Sequence, residues 1–333
     1  MVPKLKVQDR AVIDKIWETI SEKEKFLITS HYNIDGDGLG SEIALYILLK
    51  KSGKKVEIVN HDDVPAIYEF LPCAGEVKNI SGMNIPHPDV SIVVDCGTIE
   101  RTGSVETFAR QAPVIVNIDH HFSNTRFGTV NFVGEDYSAT GEMVYFLLEK
   151  QGMLSKDQAD CLYTAILTDT GRFIYNMGCN TLAVARELIK AGALPENIAR
   201  RVYMEKPLKS LRLLSLALRT LKYEKEIGVC WMKVDKKMYM DTGTTEEETE
   251  GFVEMLMSTR ESKAAFLIKE GDGIKVSMRS KGLYDVEMIS RKFGGGGHRM
   301  AAGCMFRDSS ITLASKKIIE ALKEQNGRNN NSK

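Results

Sequence analysis

In Ile28-Thr29-Ser30-His31-Tyr32-Asn33-Ile34-Asp35-Gly36-Asp37-Gly38-Leu39-Gly40-Ser41, an apolar β-type run that begins at Phe26 gives way to one imidazole and two carboxylates. A helical pattern follows, from about Glu42 to Lys51. A strand-to-helix turn in an α/β chain lies at the carboxyl edge of the sheet, where ligands bind. Carboxylates packed this closely repel one another unless cations compensate them. The turn therefore reads as half of a metal site. Asp and Gly are also ordinary turn residues, so simple punctuation is the competing reading. A calcium loop of the EF-hand type fails. Asn33, Asp35, Asp37 and Gly38 match its early positions, but Ala44 stands where a bidentate Glu is needed, and a strand rather than a helix precedes.

The 333 residues suffice for two domains with their own cores. Charge balances, with 45 Lys+Arg against 45 Asp+Glu, so no global basic field is present to hold long nucleic acid. Any nucleotide recognition is expected to be local and the substrate short. No apolar run reaches the roughly 18 residues of a membrane span, and residues 1–6 lack the apolar core of a secretion signal. The six cysteines are scattered, without a Cys-x-x-Cys pair. That spacing suits buried thiols in a reducing compartment, so the cytoplasm is the expected location.

Outward from the acidic turn, apolar groups at Val12, Ile13, Ile16, Trp17 and Ile20 predict a helix over 8–22. Strands are expected at 56–60, 91–94 and 114–118, the last two nearly all apolar, as buried parallel strands are. They end on Asp95-Cys96-Gly97 and Asp119-His120-His121, so three strands deliver Asp or His to one edge. That repetition favours the metal reading over punctuation. Thr140 is expected to cap a helix over 142–150. A helix over 156–167 runs into Thr168-Asp169-Thr170-Gly171, and helices near 182–190 and 195–204 close a first domain, 1–205. Pro207 opens a helical run expected as a connector, 206–222. A second domain, 223–326, should hold a strand at 229–234, a capping box at Thr245–Glu248 and a hairpin of 264–268 with 274–279. A helix near 285–292 then enters Gly294-Gly295-Gly296-Gly297-His298, and a strand near 302–306 and a helix near 313–323 follow. The polar tail, 327–333, is expected to be disordered. The fold class is α/β: an open, mostly parallel N-terminal sheet flanked by helices, the connector, and a smaller C-terminal α/β domain, with the active site in the cleft between.

The candidate ligands are His31, Asp35, Asp37, Asp95, His120 and Asp169. Mixed oxygen and nitrogen donors, one of them bridging, suit two divalent cations such as Mn²⁺, Mg²⁺ or Co²⁺. The absence of thiolates speaks against structural zinc. Paired cations roughly 3.5–4 Å apart activate water and clamp a displaced phosphoryl oxygen, so hydrolysis of a phosphorus–oxygen bond is the expected reaction class. His61 and His87 fall outside these motifs and read as structural. The glycine run could be a linker. Its position between helix and strand, with His298-Arg299 following, favours backbone N–H groups that approach a phosphate.

In this order, His31-x-Asn33-x-Asp35-Gly36-Asp37, Asp95, Asp119-His120-His121, Thr168-Asp169-Thr170-Gly171 and Gly295-Gly296-Gly297-His298 resemble the DHH phosphoesterase superfamily joined to its DHH-associated C-terminal domain. The chain looks like the short subfamily of nano-RNase/pAp phosphatases and stand-alone cyclic-di-AMP phosphodiesterases, over nearly its whole length. The resemblance implies one Mn²⁺ on His31, Asp35 and Asp95, and a second on Asp37, Asp95, His120 and Asp169, with Asp95 bridging. It implies that Asp119 orients a ligand imidazole and that His121 stabilises charge on the scissile phosphate. Arg279 and the stretch Gly295, Gly296, Gly297 and His298 would bind the substrate's terminal phosphate. Ile34 stands where the family usually has Pro, which bears on the turn and removes no ligand. The implied activity is Mn²⁺-dependent hydrolysis of pApA and other short 5′-phosphorylated oligoribonucleotides to mononucleotides, and of cyclic di-AMP, by a homodimer. A pAp phosphatase is the alternative. A non-catalytic nucleotide sensor is disfavoured by the complete ligand set.

Overall fold

The computed structural model describes residues 2–331 apart from 84, 151 and 153, and its contacts divide it into two compact units, Met1–Glu205 and Lys206–Lys333. The first unit runs α1 (Val7–Glu22), β1 (Lys25–Thr29), α2 (Gly36–Lys51), β2 (Lys55–Asn60), β3 (Val77–Asn79), β4 (Val90–Val94), α3 (Glu106–Ala109), β5 (Val114–Asp119) and β6 (Val130–Val133). Helices α4 (Thr140–Glu149), α5 (Lys156–Asp169), α6 (Thr181–Lys190) and α7 (Pro195–Tyr203) complete it. Among the described residues the sheet has six strands in the order β3-β2-β1-β4-β5-β6, every pair parallel. β4 is buried at every position, as a parallel strand covered on both faces must be. The chain moves outward from β1 to β2 and β3, then returns to β4 on the other side of β1. The crevice between β1 and β4 is thus the switch point at which such sheets bind ligands. Thr29 pairs with Val93, so His31 and Asp95, two residues further on, leave the sheet as neighbours.

Two local expectations need correcting. α2 begins at Gly36, not near Glu42, so the acidic stretch read as an open turn is the first turn of a helix. Asp35 caps it, accepting the N–H groups of Asp37 at 3.0 Å and Gly38 at 3.2 Å. The glycines hid this start because they are poor helix formers, yet their place is set by packing on α5. A Cβ on Gly40 would lie 2.4 Å from the Cys161 carbonyl oxygen, and one on Gly36 would lie 2.5 Å from the Thr168 hydroxyl. Ile34 is buried in the same core. Thr140 does not cap α4 either; it is the first helical residue, and its side chain turns elsewhere.

The second unit runs α8 (Leu208–Leu218), β7 (Lys222–Glu224), β8 (Val229–Val234), α9 (Lys236–Thr242), α10 (Phe252–Met257), β9 (Ala264–Glu270), β10 (Ile274–Ser280), α11 (Val286–Arg291), β11 (Gly296–His298), β12 (Ala301–Phe306) and α12 (Ile311–Asn331). Its sheet order is β11-β12-β10-β9-β8-β7, antiparallel except for β8 with β9. Leu213 and Ala217 bury α8 against Met232 and Leu267, so the run expected as a connector packs into this unit's own core. Glu248 accepts from the N–H and hydroxyl of Thr245 at 2.7 and 2.9 Å, but α10 opens only at Phe252. α12 continues through 327–331, where a disordered tail was expected, and Ser332 and Lys333 lie outside the described residues.

Candidate metal centre

Five strand or helix ends bring the first unit's candidate residues together. His31 leaves β1, Asp95 leaves β4, His120 and His121 leave β5, and Asp169 ends α5, while Asp35 and Asp37 sit at the foot of α2. His31, Asp35 and Asp95 present ligand atoms within 4.8 Å of one another, as do Asp37, His120 and Asp169. The Asp95 carboxylate faces both groups. One oxygen lies 3.5 Å from His31 Nε2, and the other lies 3.6 Å from His120 Nε2 and from His121 Nδ1. Asp95 holds this position with φ 51, a left-handed conformation that Asp tolerates better than most residues but that still stores strain.

Each imidazole is fixed by its other nitrogen. His31 Nδ1 lies 2.9 Å from the Tyr32 carbonyl, and His120 Nδ1 lies 3.2 Å from the Tyr137 carbonyl, which turns both Nε2 atoms toward the carboxylates. Asp119 bonds His121 Nδ1 at 2.7 Å, since residues two apart leaving a strand share a face. Asp119 is itself held by Asn124, whose amide donates to it at 2.6 Å. Asp37 accepts the N–H groups of Thr140 at 2.7 Å and Gly141 at 2.8 Å, so it also caps α4. The Thr140 hydroxyl donates to Asp95 at 3.1 Å. Thr140 and Asn124 are supports that motif reading missed; their only signal was a polar residue at the foot of a helix and in the loop after Asp119.

Burial pushes the Asp37 carboxyl well up, with the charges of Asp95 and Asp169 adding to it. Burial also pushes Asp169 up, to about 6, with Asp95 adding and His120 opposing. Burial opposes ionisation of Asp95, yet its bond to His31 and the charges of the three imidazoles outweigh it and hold the carboxyl well below the usual range. Burial lowers His121, but Asp119 and Asp95 lift it to about 10. These carboxylates are too crowded to be charged together without cations. The donors are oxygen and imidazole only. Cys96, next to Asp95, keeps its proton and donates to the Thr98 carbonyl at 3.0 Å, burial pushing its thiol up. Such a donor set fits divalent cations of hard or borderline character.

In the second unit, Arg279 Nε donates to Glu254 at 2.8 Å. The glycine run is not a free loop: Gly296–His298 forms β11 and pairs with Ala301–Gly303. A Cβ on Gly295 would meet the Gly303 carbonyl oxygen at 2.1 Å, so close backbone packing alone demands glycine there. His61 is pinned by Ser104, at 3.0 Å, as a structural histidine would be.

The chain matches the DHH family N-terminal domain over residues 25–166 and the DHHA1 domain over residues 229–324. It is 32% identical, over 90% of its length and 89% of the relative's, to the bifunctional oligoribonuclease and PAP phosphatase NrnA of Thermus thermophilus. It is 24% identical to the cyclic-di-AMP phosphodiesterase PdeA of Listeria monocytogenes, over 97% of its own length and 51% of that longer protein. A crystal structure of an exopolyphosphatase-related protein from Bacteroides fragilis superposes with a TM-score of 0.88 at 26% identity, covering 96% of this chain and 98% of that one. Carboxylates and imidazoles gathered at one sheet edge, in this sequence order and with these relatives, place the chain in the DHH phosphoesterase family as a metal-dependent hydrolase of phosphate esters.

Proposed function

We propose that the protein is a Mn²⁺-dependent phosphodiesterase of very short nucleotides, cutting pApA and short 5′-phosphorylated oligoribonucleotides to mononucleotides and cyclic di-AMP by way of pApA. The observation that carries this reading is the Asp95 carboxylate, facing His31 with one oxygen and His120 with the other. Two cations would be held by His31, Asp35 and Asp95 on one side, and by Asp37, Asp95, His120 and Asp169 on the other. Divalent ions held there would supply an activated water and neutralise phosphoryl charge. Asp119 bonds His121 Nδ1, which leaves Nε2 as the atom that would meet the phosphoryl group.

In this reading Arg279 and the Gly295–His298 segment anchor the substrate's terminal phosphate, which favours linear 5′-phosphorylated dinucleotides over a cycle. Hydrolysis of pAp is the second reading, favoured by the double name of the Thermus relative. The working form is a homodimer, to be checked by light scattering at assay concentration. Steady-state kinetics on pApA, cyclic di-AMP and pAp with Mn²⁺, with products separated by chromatography, tests the ranking. Turnover of pAp alone would replace the first reading by the second.

A further inference from the structure

Tyr32 directly follows the candidate ligand His31 and is 39% exposed. Loops from three strands hold it there. The Tyr32 N–H donates to the Arg101 carbonyl at 2.7 Å, tying the loop after β1 to the loop after β4. The Arg101 guanidinium carbon lies 5.4 Å from the ring centroid, a cation–π distance. His61, just beyond β2, meets the ring edge-on at 6.3 Å and 71°. The next residue, Asn33, sits at φ 58 with its N–H bonded to the Asp62 carboxylate, which fixes the path of the loop. An aromatic ring that is braced from several sides, yet left open to solvent, is a surface made for a flat partner.

Building on the short-nucleotide reading above, we propose that Tyr32, backed by Arg101 and His61, is the platform on which a nucleobase of the substrate stacks. The cation against the ring draws electron density from it and suits it to an electron-rich purine. Every base has a π-face, so the platform selects for the presence of a base more than for its identity. Tyr32 is thus a binding residue that separates nucleotides from other phosphate esters gathered at the same centre.

The test compares pApA with two analogues, each carrying an abasic ribose at one position, in the Mn²⁺-loaded full-length protein. Tyr32→Ala should lower the pApA to abasic ratio of kcat/KM by about five- to hundred-fold for the analogue that lacks the stacked base. Tyr32→Trp should restore the ratio. Equal losses on pApA and on both analogues, or no loss at all, would overturn the platform. A second readout stands apart from turnover: 2-aminopurine placed in the dinucleotide should be quenched by the ion-free wild type and not by Tyr32→Ala. If the wild type cuts none of these compounds, the phosphodiesterase reading falls, and the quenching still decides the stack. Quenching that is the same in both proteins overturns it.

Discussion

Replacing Asp95 by Asn probes the centre with the least disturbance to the fold. Asn tolerates the left-handed backbone that Asp95 adopts, with φ 51, and its amide oxygen can still accept from the Thr140 hydroxyl at 3.1 Å. What is lost is a negative charge only 2% exposed and facing three imidazoles at 3.5–3.6 Å. Unit charges about 4 Å apart interact by about 4 kcal/mol at an effective dielectric constant near 20. The amide dipole recovers part of this, leaving about 3 kcal/mol, or roughly hundred-fold in affinity, for each cation the carboxylate serves. The assay is Mn²⁺ binding by calorimetry alongside kcat on pApA, with circular dichroism to confirm the fold. Both cations should bind more weakly and turnover should fall by at least that factor. In the ion-free protein, the His31 and His121 titrations should move down together, because Asp95 helps raise both. Full cation content with near wild-type turnover would refute the shared-carboxylate account.

Raised carboxyl groups make the ion-free fold sensitive to pH. Asp169, at about 6 against an ordinary 3.8, contributes stability that is fully present below about pH 3.8 and is lost as pH rises through 6; the span is on the order of 3 kcal/mol. Asp37 acts in the same direction. Thermal melts with chelator should therefore fall from pH 4 to 7, and the gain on adding Mn²⁺ should grow over the same window; a flat gain would contradict the crowded-carboxylate argument. Gly40→Ala should push α2 off α5, because the new Cβ meets the Cys161 carbonyl at 2.4 Å. A cost of about 1–3 kcal/mol, seen as a Tm lowered by several degrees, is expected, and an unchanged Tm would show that the helices yield freely. His298→Ala should leave cation binding intact and lower kcat/KM on pApA by roughly ten- to hundred-fold. A chromogenic diester without a terminal phosphate should lose less, and equal losses would mean that His298 acts on the chemistry.

The sheet was legible because parallel strands announce themselves: Val90–Val94 is apolar throughout, and the strand ending at Asp119 hands on two histidines. The ligand inventory was legible for a related reason, since Asp and His recur where each strand stops. What escaped was set by tertiary packing. The start of α2 was masked by glycines whose purpose is contact with α5, a partner more than a hundred residues away. The partner of Asp119 was not legible, because the sequence shows only adjacency along the chain, whereas the fold sets Asp119 against His121. For 206–222 the sequence shows a helical run but not that Leu213 and Ala217 have a core to enter. In the second unit, consecutive glycines look alike on the page, yet Gly295 is demanded by the carbonyl of Gly303, and β11 takes up the rest.

The most direct test of the central claim is the release of AMP from pApA by the purified protein as Mn²⁺ is titrated into chelator-treated enzyme. The account predicts no release without the cation, saturable release with it, and two AMP formed for each pApA consumed. Release that persists undiminished in chelator, or no release from protein shown by calorimetry to have bound its cations, would contradict it.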